Sequence, residues 1–459
     1  MLNNFKVKNN NVVVVGGGLI GIIGALLVKK NNNNVYLIEQ GKTLGGLFIS
    51  RNLYKDLYFD YGSHFIRETG INPLDKLIFG DDLNFKKWHV LGNLRGASYF
   101  QNKLNDFSPF IDTRLLPNQI YKKGIKEILN LNFKKKRLRN LEDQIKSKFG
   151  KTFLKKIFEP IVSHKSFGSS LKKLAIDAHN YFGLIRIKAF DSEKSREIKK
   201  NKFFDQIFSF HDYSEGKSKI KSLYPIKGGS GFLINILKKK LIKNNIKIFT
   251  NSKISKINII SKNIQSVILN DRIVLNCKKI IWTASPNILL NYLPIISKKI
   301  KPEKFYISLH HFAFNKNFLI KSDYLQCYDP KMKTYRITFY SNIYRKKKFN
   351  INVLKKNNLY HLTLEVVSPM KEDIYKIQKI VIKEIFKMGI VSKNTKIKFK
   401  FSENLGNGVP VPNLKNLIFN IKTLASIKKR IKNIIFSTGF KGNTTGQLLN
   451  NIYNDTKNG

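Results

Sequence analysis

Apolar side chains fill every position from Val12 to Val15, a short β-branched run. A parallel strand covered on both faces reads this way. The pattern shifts to a helical period over Leu19 to Lys30, and the tract Asn31 to Asn34 ends it. Val35 to Glu39 then supplies a second buried strand, so the chain opens with a β-α-β unit of about 30 residues.

From Trp88 to roughly Ser222 charged helical patterns dominate, among them Asn140 to Gly150 and Thr152 to Glu159, with Pro160 expected to close the second. This stretch reads as an inserted, largely helical region. Tyr224 to Gly231 holds a proline and three glycines ahead of an apolar helix, Phe232 to Ile242. Ile246 to Thr250 and Ile280 to Thr283 are again short apolar strands, which return the chain to the first sheet. Alternating runs with aromatics, Phe305 to Tyr340 and Leu359 to Val367, predict an antiparallel sheet in a second domain. Ile434 to Phe436 predicts a last strand, and Gly446 to Tyr453 a closing helix. No internal repeat or long low-complexity linker separates the parts, so the two domains are expected to interleave.

A chain of 459 residues has room for two domains, and 42% hydrophobic with 25% charged residues is globular composition. The formal net charge is +54, from 84 Lys and Arg against 30 Asp and Glu. Such a charge ordinarily points to nucleic acid or an anionic membrane. The lysines are scattered among Asn and Ile along the whole chain, however, as at Lys238 to Lys240, Lys298 to Lys301 and Lys346 to Lys348. No basic stripe interleaved with aromatics appears, so no nucleic-acid partner is expected. Cys277 and Cys327 are too few for a disulfide scaffold or a metal site, which suits a reducing cytoplasm. No window reaches the roughly 20 apolar residues of a spanning helix. The protein is expected to be soluble, or at most peripherally attached to a membrane.

The chemistry concentrates at the first strand–helix junction, where Gly16, Gly18 and Gly21 form G-x-G-x-x-G. The first glycine permits the tight turn, the second lets a pyrophosphate approach the backbone, and the third lets helix and strand pack closely. The helix that begins at Leu19 and Ile20 turns its N-terminus toward the phosphates. Glu39 ends the second strand at the spacing where an acid accepts hydrogen bonds from the adenosine ribose. An acid there also disfavours a 2′-phosphorylated nucleotide.

Leu44-Gly45-Gly46-Leu47 and Asp60-Tyr61-Gly62-Ser63-His64 follow. Together with the fingerprint they resemble the FAD-dependent amine oxidase and protoporphyrinogen oxidase family. The similarity continues in order through Leu141-Glu142-Asp143, Lys148-Phe149-Gly150, Phe158-Glu159-Pro160, Tyr224-Pro225, Gly228-Gly229 and Phe232-Leu233. It goes on through Asn251 to Ile257 and Ile281 to Pro286. Phe436-Ser437-Thr438-Gly439 and Gly446-Gln447-Leu448 complete it.

The resemblance implies an α/β fold in which an FAD/NAD(P)-binding Rossmann-like domain interleaves with an α+β substrate domain. The expected boundaries are 1–95, 220–300 and 405–459 for the FAD domain, with 96–219 and 301–404 for the substrate domain. It implies non-covalent FAD in an elongated pose. Gly16, Gly18, Leu19, Ile20, Gly21, Glu39, Gly45, Gly46, Gly62, Ser63, His64, Ile254, Gly439, Gly446, Gln447 and Leu448 are the cofactor-binding set.

Leu47 and Phe48 stand where many amine oxidases carry an arginine, and Ser163-His164-Lys165-Ser166 replaces a glycine-rich loop. His64 also resembles a flavin-adjacent histidine of UDP-galactopyranose mutases, against the plainer reading of a histidine satisfied by backbone. His164, His310 and His311 read as structural or surface residues, and Glu159 and Asp177 as helix caps or ion-pair partners. The expected activity is hydride transfer from a small molecule to flavin, with no catalytic residue assigned and no metal. The alternatives are a flavin-dependent sugar-nucleotide mutase and a non-enzymatic basic binding protein on the same fold.

Overall fold

The computed structural model describes residues 10–457 apart from 32, 81–86, 132–136, 217–219, 294–301, 346–357, 407 and 438–443. β1 (Asn11–Val15) lies centrally in a five-stranded parallel sheet. The order is Lys247–Phe249, β2 (Asn34–Ile38), β1, Lys279–Trp282 and Ile434–Phe436. The all-apolar pattern of β1 has a direct cause. Val12 and Val14 face α1 (Leu19–Lys29), the return helix Gly231–Lys243 and the closing helix Thr445–Lys457. Val13 and Val15 face the opposite way, onto a three-stranded antiparallel sheet spanning Ile254 to Asn276. Each such side chain contributes on the order of 1.5 kcal/mol or more when buried, so a polar residue on either face would be costly.

The second domain is built on an eight-stranded sheet. Its path runs Ile397–Asn404, Lys304–Phe314, Tyr360–Ser368, Thr334–Phe339, Tyr324–Cys327, Gly96–Phe100 and Lys103–Asn105, and Val409–Pro410 pairs with Lys304–Phe314. The helix Ile374–Lys387 packs on this sheet through Ile377, Val381 and Ile385. The pairing is antiparallel, as the alternating patterns predicted, except where Tyr324–Cys327 runs parallel to Gly96–Phe100.

Two expectations for residues 88–222 are corrected. The region starts with strands: Trp88–Gly92 pairs with Ser222–Pro225, and Gly96–Phe100 enters the large sheet. Gly96–Phe100 is buried at all five positions, so it carries no alternation to mark it as a strand. Pro160 does not end a helix. Leu141–Phe153 bends at Gly150 (φ 77°) and passes into wide helical turns, Leu154–Phe158 and Pro160–Ser166. Pro160 opens the second of these turns, a position where its missing N–H and fixed φ are tolerated.

The hairpin of β3 (Ser50–Tyr54) and β4 (Leu57–Asp60) joins the two domains. Phe59, fully buried, meets the rings of His311, Tyr340 and His361 edge-on at 5.2–6.3 Å. The loop after β4 is thereby held between the Rossmann-like sheet and the large sheet.

Candidate functional site

The fingerprint glycines occupy the positions their chemistry requires. Gly16 has φ 106°, and a Cβ there would fall 2.4 Å from Thr283 Oγ1. A Cβ on Gly21 would lie 1.8 Å from the Gly16 carbonyl oxygen, so the third glycine is fixed by helix–strand packing. Gly18 differs from both. Its φ is −73°, and nothing lies within 4 Å of where its Cβ would be. It caps α1 with no side-chain hydrogen bond, and no acid occupies the first turn. The N-terminus of this 11-residue helix, beginning at Leu19 and Ile20, thus presents unpaired N–H groups to open space beside Gly18.

Glu39 sits at the end of β2 and receives the Gly17 N–H at one carboxylate oxygen and the Gly41 N–H at the other, both at 2.7 Å. A charge-assisted pair of this kind holds the loop rigidly, and each oxygen keeps acceptor capacity for a further donor. Gly45 (φ 127°) donates its N–H to Gly17 O at 2.8 Å and bridges to Gly18. A Cβ on Gly46 (φ 57°) would lie 3.3 Å from Gly18 Cα. The two glycine pairs therefore form one cradle with backbone on both sides. Ile254 is buried beside the β2 end of the cradle, and its carbonyl accepts the Tyr292 hydroxyl at 2.6 Å.

Gly62, Ser63 and His64 adjoin the second glycine pair through the contact of His64 with Phe48. Gly62 has φ 105°, and a Cβ on it would meet the Glu365 carboxylate at 3.2 Å. Glu365 accepts the Ser63 N–H at 3.0 Å and holds Arg336 through two hydrogen bonds of 2.7 Å. His64 Nε2 lies 2.9 Å from Tyr61 O, and its ring meets Phe48 at 5.0 Å. Desolvation lowers its pKa, with Glu365 acting in the opposite sense, so the imidazole is held toward its neutral form. The contact with Tyr61 O matches the plainer reading of His64 as a histidine satisfied by backbone.

Asp60 lies directly behind this loop, fully buried. Its carboxylate accepts from Ser50 Oγ at 2.5 Å, Tyr224 OH at 2.6 Å and Ser230 N–H at 2.9 Å, while the Asp60 backbone N–H donates to the Tyr340 hydroxyl at 3.0 Å. Burial pushes its carboxyl up to about 6 against the three donors. A Cβ on Gly229 (φ 62°) would fall 2.4 Å from Asp60 Oδ1, which explains the glycine ahead of the return helix.

The closing helix brings Gly446, Gln447 and Leu448 into its first turn, where Thr444 Oγ1 accepts the Gln447 N–H at 3.2 Å. Gly439 lies outside the described residues. Leu47 is 51% exposed, and Phe48 is buried against His64, so the substituted arginine position divides into one outward and one inward apolar side chain. His310 and His311 are buried in the large sheet with Ser402 and Thr363 as partners, in line with structural roles. The side chain of His164 lies outside the described residues. Asp177 lies in the short turn Ile176–Ala178. Glu159 is exposed and stands at the N-cap position of Pro160–Ser166 with no side-chain capping hydrogen bond. Cys277 and Cys327 are buried and form no disulfide with each other, and no cluster of metal-ligating side chains occurs among the described residues.

Sequence reasoning missed Thr283, Ser50, Tyr224, Ser230, Arg336 and Glu365. Of these, Tyr224 and Ser230 lie within the turn segment Tyr224 to Gly231 and Thr283 within Ile281 to Pro286, and none was read there for its polar groups.

Residues 14–77 match the family model of the NAD(P)-binding Rossmann-like domain. No curated protein matches the chain by sequence. Among solved structures, reduced UDP-galactopyranose mutase superposes with a TM-score of 0.75 at 16% identity, covering 97% of this chain and 94% of that one. A protein provisionally assigned as a protoporphyrinogen oxidase, from Exiguobacterium sp. 255-15, gives 0.69 at 12% identity with 98% of both chains covered. A double mutant of putrescine oxidase gives 0.59 at 11%, again with 98% of both covered. Residues 14–77 thus belong to a Rossmann-like domain, and the chain as a whole shares its two-domain fold with these solved structures.

Proposed function

We propose that this protein binds FAD non-covalently and oxidises a small molecule as an FAD-dependent oxidoreductase. The observation that carries the reading is the uncapped N-terminus of α1 beside the open face of Gly18, walled by Gly46 and ended by Glu39. These residues fit the cofactor. The N–H groups of Leu19 and Ile20 suit a pyrophosphate, the free acceptor capacity of Glu39 suits ribose hydroxyls, and Ile254 suits the adenine end. Gly62, Ser63, His64 and the closing helix from Gly446 would border the flavin end. FAD, when bound, supplies a hydride acceptor, and the protein supplies orientation, dryness and electrostatics. Glu365 and Arg336 hold the loop of residues 61–64 in place, and burial shifts His64 toward its neutral form.

A second reading, a flavin-dependent sugar-nucleotide mutase acting without net redox change, is supported by the TM-score of 0.75 to reduced UDP-galactopyranose mutase. Anaerobic titration of the purified protein separates the two. Bleaching of a flavin band by an amine or a porphyrinogen supports the oxidoreductase. Turnover of a nucleotide sugar only after reduction by a nicotinamide cofactor supports the mutase. A colourless protein that retains nucleic acid at moderate salt would overturn both in favour of a binding protein. The two buried cysteines, which form no disulfide with each other, suit a reducing compartment, and we propose a cytoplasmic location.

A further inference from the structure

The helix Leu414–Arg430 inverts the usual arrangement of an amphipathic surface helix. Its inward side carries Asn416 and Thr423 together with Ile427, all buried. Asn416 is satisfied there, donating from Nδ2 to Val411 O at 2.8 Å and from its N–H to Asn413 Oδ1 at 2.8 Å. Its outward side carries isoleucines: Ile418 is 51% exposed and Ile421 58%. At about 3.6 residues per turn, Leu414, Ile418, Ile421 and Ala425 fall on one outward stripe. Lys415, Lys422 and Lys429 flank that stripe on one side and Lys428 on the other. The helix contains no Asp or Glu, and none of these lysines forms an ion pair with a described residue.

From this pattern we infer that Leu414–Arg430 is an in-plane docking helix for an anionic lipid surface. Apolar side chains at the centre of an outward face with lysines along its borders match a helix lying at the headgroup boundary, where isoleucines enter the acyl region and lysines meet lipid phosphates. A second copy of the chain is disfavoured as occupant, because pairing two such faces would bring cations together with no carboxylate in either helix. Nucleic acid would use the lysines and leave the isoleucines in water. No helix among the described residues is long and apolar enough to cross a membrane, so the helix docks on the surface.

The net charge of +54 would draw this protein to any anionic surface, so the test must isolate the apolar contribution. The full-length protein is sedimented with phosphatidylcholine vesicles and with vesicles of phosphatidylcholine and phosphatidylglycerol, at low and at high salt. The expected result is binding to the anionic vesicles that persists in part at high salt. The I418S/I421S variant should partition about tenfold less at high salt. An I242S/I260S control, which removes two other exposed isoleucines, should leave binding unchanged. In a second measurement, Ile421→Trp should shift its emission to shorter wavelength when anionic vesicles are added. The native tryptophans, Trp88 and Trp282, are fully buried and give a constant background. Equal binding by wild type and I418S/I421S, complete release of the wild type by salt, or an unmoved I421W emission would each overturn the proposal. So would a dimer in solution that I418S/I421S dissociates without any change in vesicle binding. None of these readouts depends on flavin.

Discussion

Glu365 accepts the backbone N–H of Ser63 at 3.0 Å, although 302 positions separate the two in the chain. The large sheet thereby fixes the loop of residues 61–64 that borders the proposed flavin end. Arg336 completes the arrangement by holding both oxygens of the same carboxylate. Glu365→Gln should therefore weaken the loop and leave Arg336 without its anion, at a stability cost of about 2–4 kcal/mol. The partial exposure of Arg336 keeps the cost toward the lower end of that range. Chemical denaturation of the variant checks this, and replacing both residues by Met should recover part of the loss.

The fingerprint glycines should separate into two kinds. Gly21→Ala drives a methyl group into the Gly16 carbonyl and should destabilise the fold by about 1–3 kcal/mol. Gly18→Ala meets only open space and an ordinary φ, so stability should change by less than about 1 kcal/mol. It should nevertheless lower FAD affinity about tenfold or more, because the methyl group occupies the approach to the backbone. Thermal unfolding beside FAD titration distinguishes the two variants.

His361 is fully buried between Ser341 and the Tyr58 carbonyl, and burial pushes its imidazole down to about 3. His310 is pushed down to about 3 by the same cause. For both groups the unfolded chain takes up the proton first. Their contribution to stability is present above the ordinary value of 6.5 and is lost as pH falls from there toward 3. His361→Asn should flatten the acid side of the stability–pH curve relative to wild type, as read by urea unfolding at a series of pH values.

Asp60 has the opposite sign. Its carboxyl is raised from 3.8 to about 6, so the folded state holds the proton more tightly and this group's contribution falls as pH rises through that interval. The difference in unfolding free energy between wild type and Asp60→Asn should therefore move against wild type between about pH 4 and 6. A difference that stays constant across this range would show that the carboxyl titrates normally.

Much of the Rossmann-like half was legible in the sequence, because its physics is local. Strands buried on both faces show as unbroken apolar runs, and the glycines follow from a turn and a close approach a few residues apart. The walls of the site were less legible. Glu365 and Arg336 belong to strands of the other domain, and neither periodicity nor spacing indicates that they meet Ser63. Asp60 stood inside a recognised motif, yet its partners Ser50, Tyr224 and Ser230 come from three separate elements. Pro160 misled because a proline normally ends an α-helix, whereas here it starts a new, wider turn.

The central claim is tested most directly by the absorption spectrum of protein purified from cells supplied with riboflavin. The account predicts a flavin band near one equivalent per chain, released as free FAD on denaturation and diminished in Gly18→Ala. A colourless protein that also fails to take up added FAD would contradict it.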